Sequence, residues 1–369
     1  MWLKNITLLQ FKNYASAEIV FSETINAFTG NNGAGKTNLL DAIHYLCLCK
    51  SYFNPIDSHQ IKTGEDLFLI QGDFDRDGRE EKISCGLKRN QKKQFKRNKK
   101  EYEKLADHIG LFPVVMISPY DSYIILEGSE ERRRFIDNVI SQTDAAYLDE
   151  LMQYNKHLQN RNALLKQAAS RHGVPDATLM EIMDAGLLVS GERIFEKRKH
   201  FMDEFIPLFD KYYRFISSEA EVATLHYVSQ LHEKPFASLL AQSITRDTAL
   251  ERTTTGIHKD DLQFTLSDMP LKRSASQGQQ KSFLIALKLA QYAYLQKLKG
   301  FKPILLLDDI FDKLDNQRTH KLMEMVSHQD FGQIFITDAS RERVASVFKN
   351  IGVDLKLFEV HEGKVVAYA

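Results

Sequence analysis

The sequence predicts an α/β fold with a mostly helical lobe inserted into it. Residues 1–128 and 256–369 alternate between strand-like and helix-like patterns, whereas residues 129–255 are helical in character. The chain has 369 residues, a length that favours about two domains. We therefore expect one α/β lobe built from both ends of the chain and a second lobe built from its middle.

The N-terminal part, residues 1–128, begins with short alternating apolar runs that predict strands. A Gly-rich turn then leads into a helical apolar pattern from Leu39 to Leu48. Two strand-like runs that flank an Asp-Gly turn signal predict a β-meander over residues 66–100. The apolar run VVMIS at 114–118 predicts one more strand.

The middle part, residues 129–255, is rich in Leu, Met, Lys, Gln and Glu at helical spacing. It contains one candidate strand, VATLHYV at 222–228. From residue 256 onward the strand–helix rhythm returns, with the apolar runs LQFTL, ILLLDD and QIFITD and a helix after SASQGQQKS. The returning rhythm predicts that the chain re-enters the α/β lobe there.

Charge and cysteine usage narrow the classes of protein. The chain has 49 basic and 49 acidic residues, so contact with nucleic acid requires a local patch of charge. Three cysteines are too few for a disulfide framework, and the C-x-C spacing of Cys47 and Cys49 is not that of a metal knuckle. Buried thiols in a reducing compartment are the better interpretation. Without a signal core or a membrane-length apolar run, we expect a cytoplasmic protein with no membrane partner.

Residues 30–37, GNNGAGKT, fit the pattern G-x-x-x-x-G-K-[ST]. Glycines let backbone N–H groups turn inward around an anion, and the helix that follows points its positive end at the phosphates. We expect Lys36 to reach the β- and γ-phosphates of ATP and Thr37 to bind Mg²⁺. A Gly-rich turn with a solvated lysine would fit the bare pattern, but the strand before it and the helix after it favour nucleotide binding. The predicted nucleotide-binding residues here are Gly30, Asn31, Asn32, Gly33, Ala34, Gly35, Lys36 and Thr37.

Residues 304–309, ILLLDD, are an apolar run that ends in two carboxylates. A buried strand of a parallel sheet has this composition, and ligands bind at its carboxyl end. We expect Asp308 to complete the Mg²⁺ site, directly or through water. Asp309 is placed to orient or deprotonate the attacking water, which makes Asp309 and Lys36 the predicted catalytic residues. A strand that ends in a capping aspartate would explain one of the acids but not both.

The stretch SASQGQQKS, residues 274–282, opens a strongly apolar helix without any acid to complement its dipole. A phosphate from elsewhere would supply that charge. When the stretch is considered alone, an ordinary capped helix is the favoured interpretation.

Three motifs together resemble those of the ABC-type ATPases. They are the predicted phosphate cradle at residues 30–37, the stretch SASQGQQKS and the stretch LLLDDIFDKLD. In this resemblance Ser276-Gln277-Gly278-Gln279 matches the signature loop and Asp312–Asp315 matches the D-loop. The chain is more closely similar to the RecF family of ABC/SMC-type ATPases, which act in bacterial DNA replication and repair. The matching segments include LKNITLLQFKNY, GNNGAGKTNLLDAIHYL, SPYDSYIILEGSEERRRFIDNVISQ, YNKHLQNRNALLK and GIHKDDLQFTL. Segments of this kind run from residue 3 to about residue 338, so the resemblance covers most of the chain.

The resemblance implies an ABC-type P-loop ATPase head with an inserted, mostly helical second lobe. It implies that Ser276, Gly278 and Gln279 bind the γ-phosphate of an ATP held in the cradle of a second copy. ATP would then close a head-to-tail homodimer, and hydrolysis would reopen it. The family resemblance also implies DNA repair, recombination and the SOS response to DNA damage at gapped or stalled DNA. RecR and RecO would be partners there in placing RecA on single strands.

Three departures from the ABC pattern concern the expected nucleotide site. Asp309 stands where transporter ATPases usually carry glutamate, and its shorter side chain predicts slow turnover. With the family resemblance, we expect a weak, DNA-stimulated ATPase. No switch histidine follows QIFITD, which leaves Thr337 as a candidate γ-phosphate sensor, and Asp121 is the candidate for the loop glutamine near 118–121. Two alternatives stay open: the ATP subunit of a membrane transporter, and an ATP-binding switch with negligible hydrolysis.

Residues 88–104 hold nine basic and two acidic residues, a local net charge of +7. Such a cluster is an electrostatic footprint for phosphates, and it is equally typical of a solvated hairpin tip. The family resemblance favours double-stranded or gapped DNA, bound without sequence preference. The predicted DNA-binding residues are Lys92, Lys93, Lys96 and Arg97. For Arg132–Arg134, a charged helix face is favoured over a ligand-binding role.

Overall fold

A computed structural model describes residues 1–171, 173–217, 221–310, 330–348 and 354–368, together with residues 318, 320, 321, 324 and 325. The candidate D-loop, Asp312–Asp315, lies outside the described residues. The chain forms two compact units. The first unit comprises Met1–Ser122, Lys211–Ala220 and Ser276–Ala369, and the second comprises Tyr123–Asp210 and Glu221–Ala275.

The described strands are β1 (Trp2–Phe11), β2 (Tyr14–Val20), β3 (Ile25–Thr29), β4 (Leu67–Arg76), β5 (Arg79–Lys88), β6 (Gln94–Arg97), β7 (Lys100–Glu101), β8 (Val114–Ile117), β9 (Ala223–Val228), β10 (Asp261–Leu266), β11 (Met269–Pro270), β12 (Ile304–Leu307), β13 (Ile334–Asp338), β14 (Leu355–His361) and β15 (Lys364–Ala367). The described helices are α1 (Lys36–Leu48), α2 (Ser122–Leu126), α3 (Ser129–Ser141), α4 (Ala145–Ser170), α5 (Ala177–Ser217), α6 (Phe236–Leu250), α7 (Leu271–Ser274), α8 (Gln277–Lys299) and α9 (Arg341–Phe348).

The first unit contains a six-stranded sheet with the order β15-β14-β3-β13-β12-β8. Strands β14, β3, β13, β12 and β8 run parallel, and β15 pairs antiparallel with β14. Strands β3, β8, β12 and β13 are buried along their whole length, as their continuous apolar sequences predict. The carboxyl ends of β3, β12 and β13 therefore share one edge of the sheet, the edge at which α/β proteins bind ligands.

A second sheet of the first unit has the order β2-β1-β4-β5-β6-β7 and contains the predicted meander. Asp77 and Gly78 form the tight turn between β4 and β5, with φ of 55° and 76°. Positive φ at both central residues matches the twist of a hairpin. One face of this sheet packs with α1 in an apolar core of the first unit, which includes Leu8, Ile43 and Phe68.

The second unit combines helices with a small sheet of order β11-β10-β9. Strand β9 is the predicted strand at 222–228. Strand β10 is the run LQFTL, and it pairs antiparallel with β9 from Asp261 to Leu266. This pairing places β10 in the second unit, so the chain leaves that unit between Ala275 and Ser276, later than the boundary at 255/256 expected from the sequence.

Two arginines are buried in the second unit as members of ion-pair networks. Arg161 is fully buried and its Nη1 lies 2.7 Å from Asp247 Oδ2. Arg198 lies between Asp137 at 2.8 Å and Asp260 at 2.9 Å. Because breaking a buried pair leaves an uncompensated charge, each network holds its neighbouring helices in one arrangement.

The three cysteines are free and buried, as predicted. Burial raises the pKa of Cys49 to about 12, which keeps this thiol protonated and unreactive at neutral pH. Among the described helices, none has both the length and the apolar character needed to cross a membrane.

Buried His108 gives the fold an acid-sensitive element. Its Nε2 lies 2.7 Å from the Leu46 carbonyl oxygen and its Nδ1 lies 3.0 Å from the Tyr102 hydroxyl. Burial lowers the pKa of His108 to about 4, against about 6.5 in an unfolded chain. As the pH falls, His108 takes up a proton in the unfolded state before it does so in the folded state. The stability that comes from burying neutral His108 is therefore complete above about pH 6.5 and is lost as the pH falls toward 4.

We expect the free energy of unfolding to fall between pH 7 and pH 4.5, in part through His108. In His108→Gln this fall should be smaller by about 2 kcal/mol, because the substituted side chain takes up no proton. Urea unfolding at both pH values measures the difference. An equal pH dependence in the two proteins would show that His108 is not responsible.

Candidate nucleotide site

The turn between β3 and α1 can be formed only with glycine at two positions. Gly30 has φ 147°, and a Cβ there would lie 2.2 Å from the Val360 carbonyl oxygen. Gly35 has φ 118°, and a Cβ there would lie 2.5 Å from Asn13 Nδ2. That same amide nitrogen donates a 2.9 Å hydrogen bond to the Ala34 carbonyl oxygen. The Asn13 side chain thus holds the loop backbone in place in the absence of a ligand.

Helix α1 begins at this loop with its positive end uncompensated. Its N-cap is Gly35, no described side chain caps it, and its first turn has no acid. The unpaired N–H groups of such a helix end attract anions. Lys36 is buried and its Nζ donates to the carbonyl oxygens of Gly30, at 2.7 Å, and Asn31, at 3.1 Å. The lysine ammonium is therefore kept within the predicted phosphate loop.

Asp308 lies at the end of β12 and meets the loop through Thr37. Thr37 Oγ1 donates to Asp308 Oδ1 at 2.8 Å, although the two residues are 271 positions apart. Thr337 Oγ1 donates to the same oxygen at 2.9 Å, and Ser118 Oγ donates to Asp308 Oδ2 at 3.3 Å. Burial raises the pKa of Asp308, while the hydrogen bonds from Thr37 and Thr337 act in the opposite direction.

The oxygens of Thr37 and Asp308 fit a magnesium ion. Both are hard ligands of the kind that Mg²⁺ prefers, and a cation would offset the cost of burying the Asp308 carboxylate. The structure thus brings together the two residues predicted as metal ligands, beside Lys36.

Asp309 differs from Asp308 in that one of its oxygens has no hydrogen-bond partner. Its Oδ1 is buried without such a partner among the described residues. Its backbone is left-handed, with φ 46°, and its N–H donates to Thr337 Oγ1 at 2.9 Å. Asp309 lines an open cleft of about 360 Å³ together with Gly33, Lys36 and Thr37. The acid predicted to handle water therefore faces the predicted phosphate loop.

Thr337, the candidate γ-phosphate sensor, is fully buried. Its hydroxyl donates to Asp308 and accepts from the N–H of Asp309. In this arrangement Thr337 positions the carboxylate of Asp308 and the backbone of Asp309.

Asp121, the candidate for the loop glutamine, is also buried. It forms a 2.7 Å ion pair with Lys288. Pro119, from the same loop, lines the cleft instead.

The SASQGQQKS stretch is accessible at the start of α8. Ser276 and Gln277 are exposed. Ser276 Oγ accepts from the Gln279 N–H at 3.2 Å, and the Gln279 side chain accepts from the Ser276 N–H at 2.6 Å. This capping box satisfies one N–H at each end of the turn, so the Gln279 side chain acts here as a cap. The first turn of α8 has no acid, and a second molecule can reach Ser276.

Comparison with known proteins identifies the family. Residues 2–360 match the model of the RecF/RecN/SMC N terminal domain. The DNA replication and repair protein RecF of Parabacteroides distasonis is 50% identical over 365 residues, which are 99% of each chain. The protein of the same name from Flavobacterium johnsoniae is 49% identical over 98% of this chain and all of the other. The chain belongs to the RecF family.

Solved structures confirm the predicted fold. The recombination mediator protein RecF-ATP in the RecFOR pathway superposes with a TM-score of 0.89 and 31% identity, over 100% of this chain and 98% of the other. The Smc head domain with an extended coiled coil from Pyrococcus furiosus, with a TM-score of 0.57, 17% identity and coverage of 100% and 96%, shows the fold alone. The RecF-family chain therefore has the ABC-type ATPase head with an inserted helical lobe.

The basic stretch of this RecF-family chain is a hairpin in which not every cation faces solvent. Lys93 pairs with Asp57 at 2.8 Å and donates to the Cys49 carbonyl oxygen at 2.6 Å. Arg97 Nε donates to Glu81 at 2.8 Å. Two of the four predicted DNA-binding residues thus pair with acidic side chains of the protein. Near the hairpin tip Lys92, Lys99 and Lys100 are exposed, and Lys96 is half-buried.

The arginine run on α3 is structural. Arg132 pairs with Asp261 at 2.7 Å, and Arg133 donates to the Asp260 carbonyl oxygen at 2.6 Å. Arg134 pairs with Glu131 at 2.6 Å on the same helix. These contacts agree with the favoured interpretation of a charged helix face.

Two site residues were not singled out from the sequence. Asn13 supports the phosphate loop and contacts the Gly35 position. Ser118 follows β8 directly and reaches Asp308. Ser118 had a detectable signal, because polar residues after buried parallel strands collect at one sheet edge. Asn13 had a signal only through the segment LKNITLLQFKNY, where it follows a strand.

Proposed function

We propose that this protein is an ATP-dependent DNA-binding protein of recombinational repair and replication restart. The observation that carries the proposal is the 2.8 Å hydrogen bond between Thr37 and Asp308, beside Lys36. It joins a phosphate loop and a metal-binding carboxylate from opposite ends of the chain. The names of the relatives, DNA replication and repair protein RecF, support the DNA-directed role.

ATP closes a head-to-tail homodimer in this proposal. Ser276 is exposed at the start of α8, and the first turn has no acidic residue to compensate the positive end of the helix dipole. The γ-phosphate in the cradle of a second copy would supply the negative charge. Dimer stability then depends on the γ-phosphate, so ATP and ADP act as opposite signals.

Hydrolysis is assigned to the residues around Asp309. Lys36 and the loop N–H groups bind the phosphates. Thr37 and Asp308 would hold Mg²⁺, which would supply positive charge to offset that of the phosphates. Asp309 orients a water and accepts its proton as the water oxygen bonds to the γ-phosphorus. The bond to the bridging oxygen breaks, and ADP and phosphate leave. The short Asp309 side chain supports slow hydrolysis. In this proposal DNA stimulates that activity, which serves as a timer.

The cellular setting follows from the relatives. A similar solved structure is described as a mediator in the RecFOR pathway, which supports RecR and RecO as partners in placing RecA at single-strand gaps. Free buried cysteines support a reducing compartment, and we place the protein in the cytoplasm with the chromosome.

Molecular mass measured with ATP, with ADP and without nucleotide tests the switch. We expect a dimer only with ATP, and duplex DNA should increase its population. Ser276→Arg should stay monomeric while still binding ATP, because the bulky cation blocks the approach of a second copy. A mass that is independent of nucleotide would contradict the proposal, and co-fractionation with membranes would favour a transporter subunit.

The hairpin lysines give a test of DNA binding. In one variant, four lysines are changed to glutamate: Lys92, Lys96, Lys99 and Lys100. We expect at least about tenfold weaker duplex binding and a shallower salt dependence, because each lost phosphate contact removes about 0.9 from the slope of log K against log salt.

A control with the same charge change uses exposed lysines of the second unit. They are Lys156, Lys166, Lys199 and Lys234. Fluorescence anisotropy at several salt concentrations compares the two variants with the unmodified protein. An equal salt slope in the hairpin variant and the unmodified protein would exclude the hairpin as a DNA site.

A further inference from the structure

A buried cluster of Lys288, Asp121 and Tyr52 lies where three parts of the site meet. Lys288 Nζ is 2.7 Å from Asp121 Oδ1 and 2.9 Å from the Tyr52 hydroxyl. The Tyr52 hydroxyl donates in turn to Asp121. The side chains of Lys288 and Asp121 are 5% and 2% exposed, so this ion pair is almost completely removed from water.

Each member of the cluster comes from an element that carries another part of the site. Lys288 is on α8, the helix that begins with the signature stretch. Tyr52 follows α1, the helix of the phosphate loop, and its N–H donates to Asp41 of α1 at 2.6 Å. Asp121 belongs to the turn after β8, next to Pro119 of the nucleotide cleft.

Two hydrogen bonds through Ser118 connect the cluster to the proposed metal-binding carboxylate, Asp308. Asp121 Oδ2 accepts from the Ser118 N–H at 2.8 Å. The Ser118 hydroxyl then donates to Asp308 Oδ2 at 3.3 Å. Lys288 therefore fixes Asp121, Asp121 fixes Ser118, and Ser118 orients the side of Asp308 that Thr37 does not contact.

We propose that Lys288, Asp121, Tyr52 and Ser118 form a positioning relay that ties signature helix α8 to the magnesium-binding carboxylate Asp308. This inference rests on the proposed ATP-binding function. If a second copy that engages the signature stretch displaces α8, the relay would change how Asp308 is held. A buried pair is a costly way to gain stability alone, because well-packed apolar residues often do as well. A role in alignment accounts for its placement between three site elements.

The relay predicts a loss of Mg²⁺ coupling without a loss of nucleotide binding. Mg²⁺ is expected to increase the affinity for ATP, and the Mg²⁺ midpoint is the concentration at which half of this increase is reached. We expect each of three single variants to raise this midpoint by about three- to tenfold: Ser118→Ala, Asp121→Asn and Lys288→Met. Binding of a fluorescent ATP analogue without Mg²⁺ should stay within about threefold of the unmodified protein. In steady-state assays kcat should fall at least about tenfold, with KM for ATP nearly constant.

Combining variants separates a relay from independent contacts. The double variant Ser118→Ala with Lys288→Met should raise the Mg²⁺ midpoint no more than the stronger of the two single variants does, because both substitutions interrupt the same path. Ser118→Ala also keeps the test valid if the charge variants fold poorly, since it leaves the ion pair intact. Additive effects, or an unchanged Mg²⁺ midpoint in Ser118→Ala, would overturn the relay.

Another buried ion pair provides a matched control. Arg161→Met with Asp247→Asn removes a fully buried pair of the second unit. We expect it to lower the melting temperature as much as loss of the Lys288–Asp121 pair does, and to leave the Mg²⁺ midpoint unchanged. If this control shifts the Mg²⁺ midpoint as much as the cluster variants do, the effect of those variants reflects a general loss of stability and the relay is contradicted.

The nucleotide data also separate failure of the relay from failure of the proposed function. If the unmodified protein binds ATP but does not hydrolyse it, the hydrolysis proposal fails and the Mg²⁺ midpoint alone decides the relay. If the unmodified protein does not bind ATP, the proposed function and the relay both fail.

Discussion

Replacing Lys36 with alanine is expected to weaken ATP binding by about 100-fold or more and to abolish the ATP-dependent dimer. Lys36 is buried and held within the phosphate loop by the carbonyl oxygens of Gly30 and Asn31. A charged donor contributes about 1.5–3 kcal/mol per hydrogen bond to an anion, and two phosphates are within its predicted reach. Isothermal titration with ATP measures the affinity.

This change removes the lysine hydrogen bonds to two loop carbonyl oxygens. The fold should still survive, because Gly30, Gly35 and the Asn13 hydrogen bond continue to define the loop backbone. Lys92→Ala, at an exposed position, is the control for a generic loss of charge. Unchanged ATP affinity in Lys36→Ala, with a normal melting curve, would contradict the assignment of the phosphate loop.

Three strands of the six-stranded sheet were predictable because burial on both faces requires continuous apolar sequence. VVMI, ILLL and IFIT are such runs, and they form β8, β12 and β13. Strand β10 shows the limit of this reasoning. Periodicity identifies a strand but not its partner, and only the pairing of β10 with β9 reveals which unit contains it.

The phosphate loop could be found from the sequence because its chemistry depends on local spacing. The hydrogen bond from Ser118 to Asp308 and the ion pair of Lys288 with Asp121 depend on long-range packing, which spacing does not encode. Charge counting failed in the same way at the hairpin. Lys93 is engaged by Asp57, which is distant in sequence, so a run of lysines does not show which of them face solvent.

Asp309→Asn is expected to lower the rate of ATP hydrolysis by about 100-fold or more while ATP binding is kept. Loss of a general base typically costs 10²–10⁴ in rate. The substitution keeps the size of the side chain, and asparagine tolerates the left-handed backbone that Asp309 adopts at φ 46°. One negative charge beside the phosphates is removed as well, so ATP affinity should be equal or higher.

The same variant tests whether hydrolysis limits the lifetime of the dimer. If ATP cleavage reopens the dimer, the ATP-bound dimer of Asp309→Asn should persist longer by about the factor lost in hydrolysis. Mixing preformed dimer with excess ADP and following its mass over time measures this lifetime. The double variant with Lys36→Arg should form little dimer, since the larger guanidinium distorts the phosphate loop. Equal lifetimes for Asp309→Asn and the unmodified protein would instead identify a switch that releases its partner without cleaving ATP.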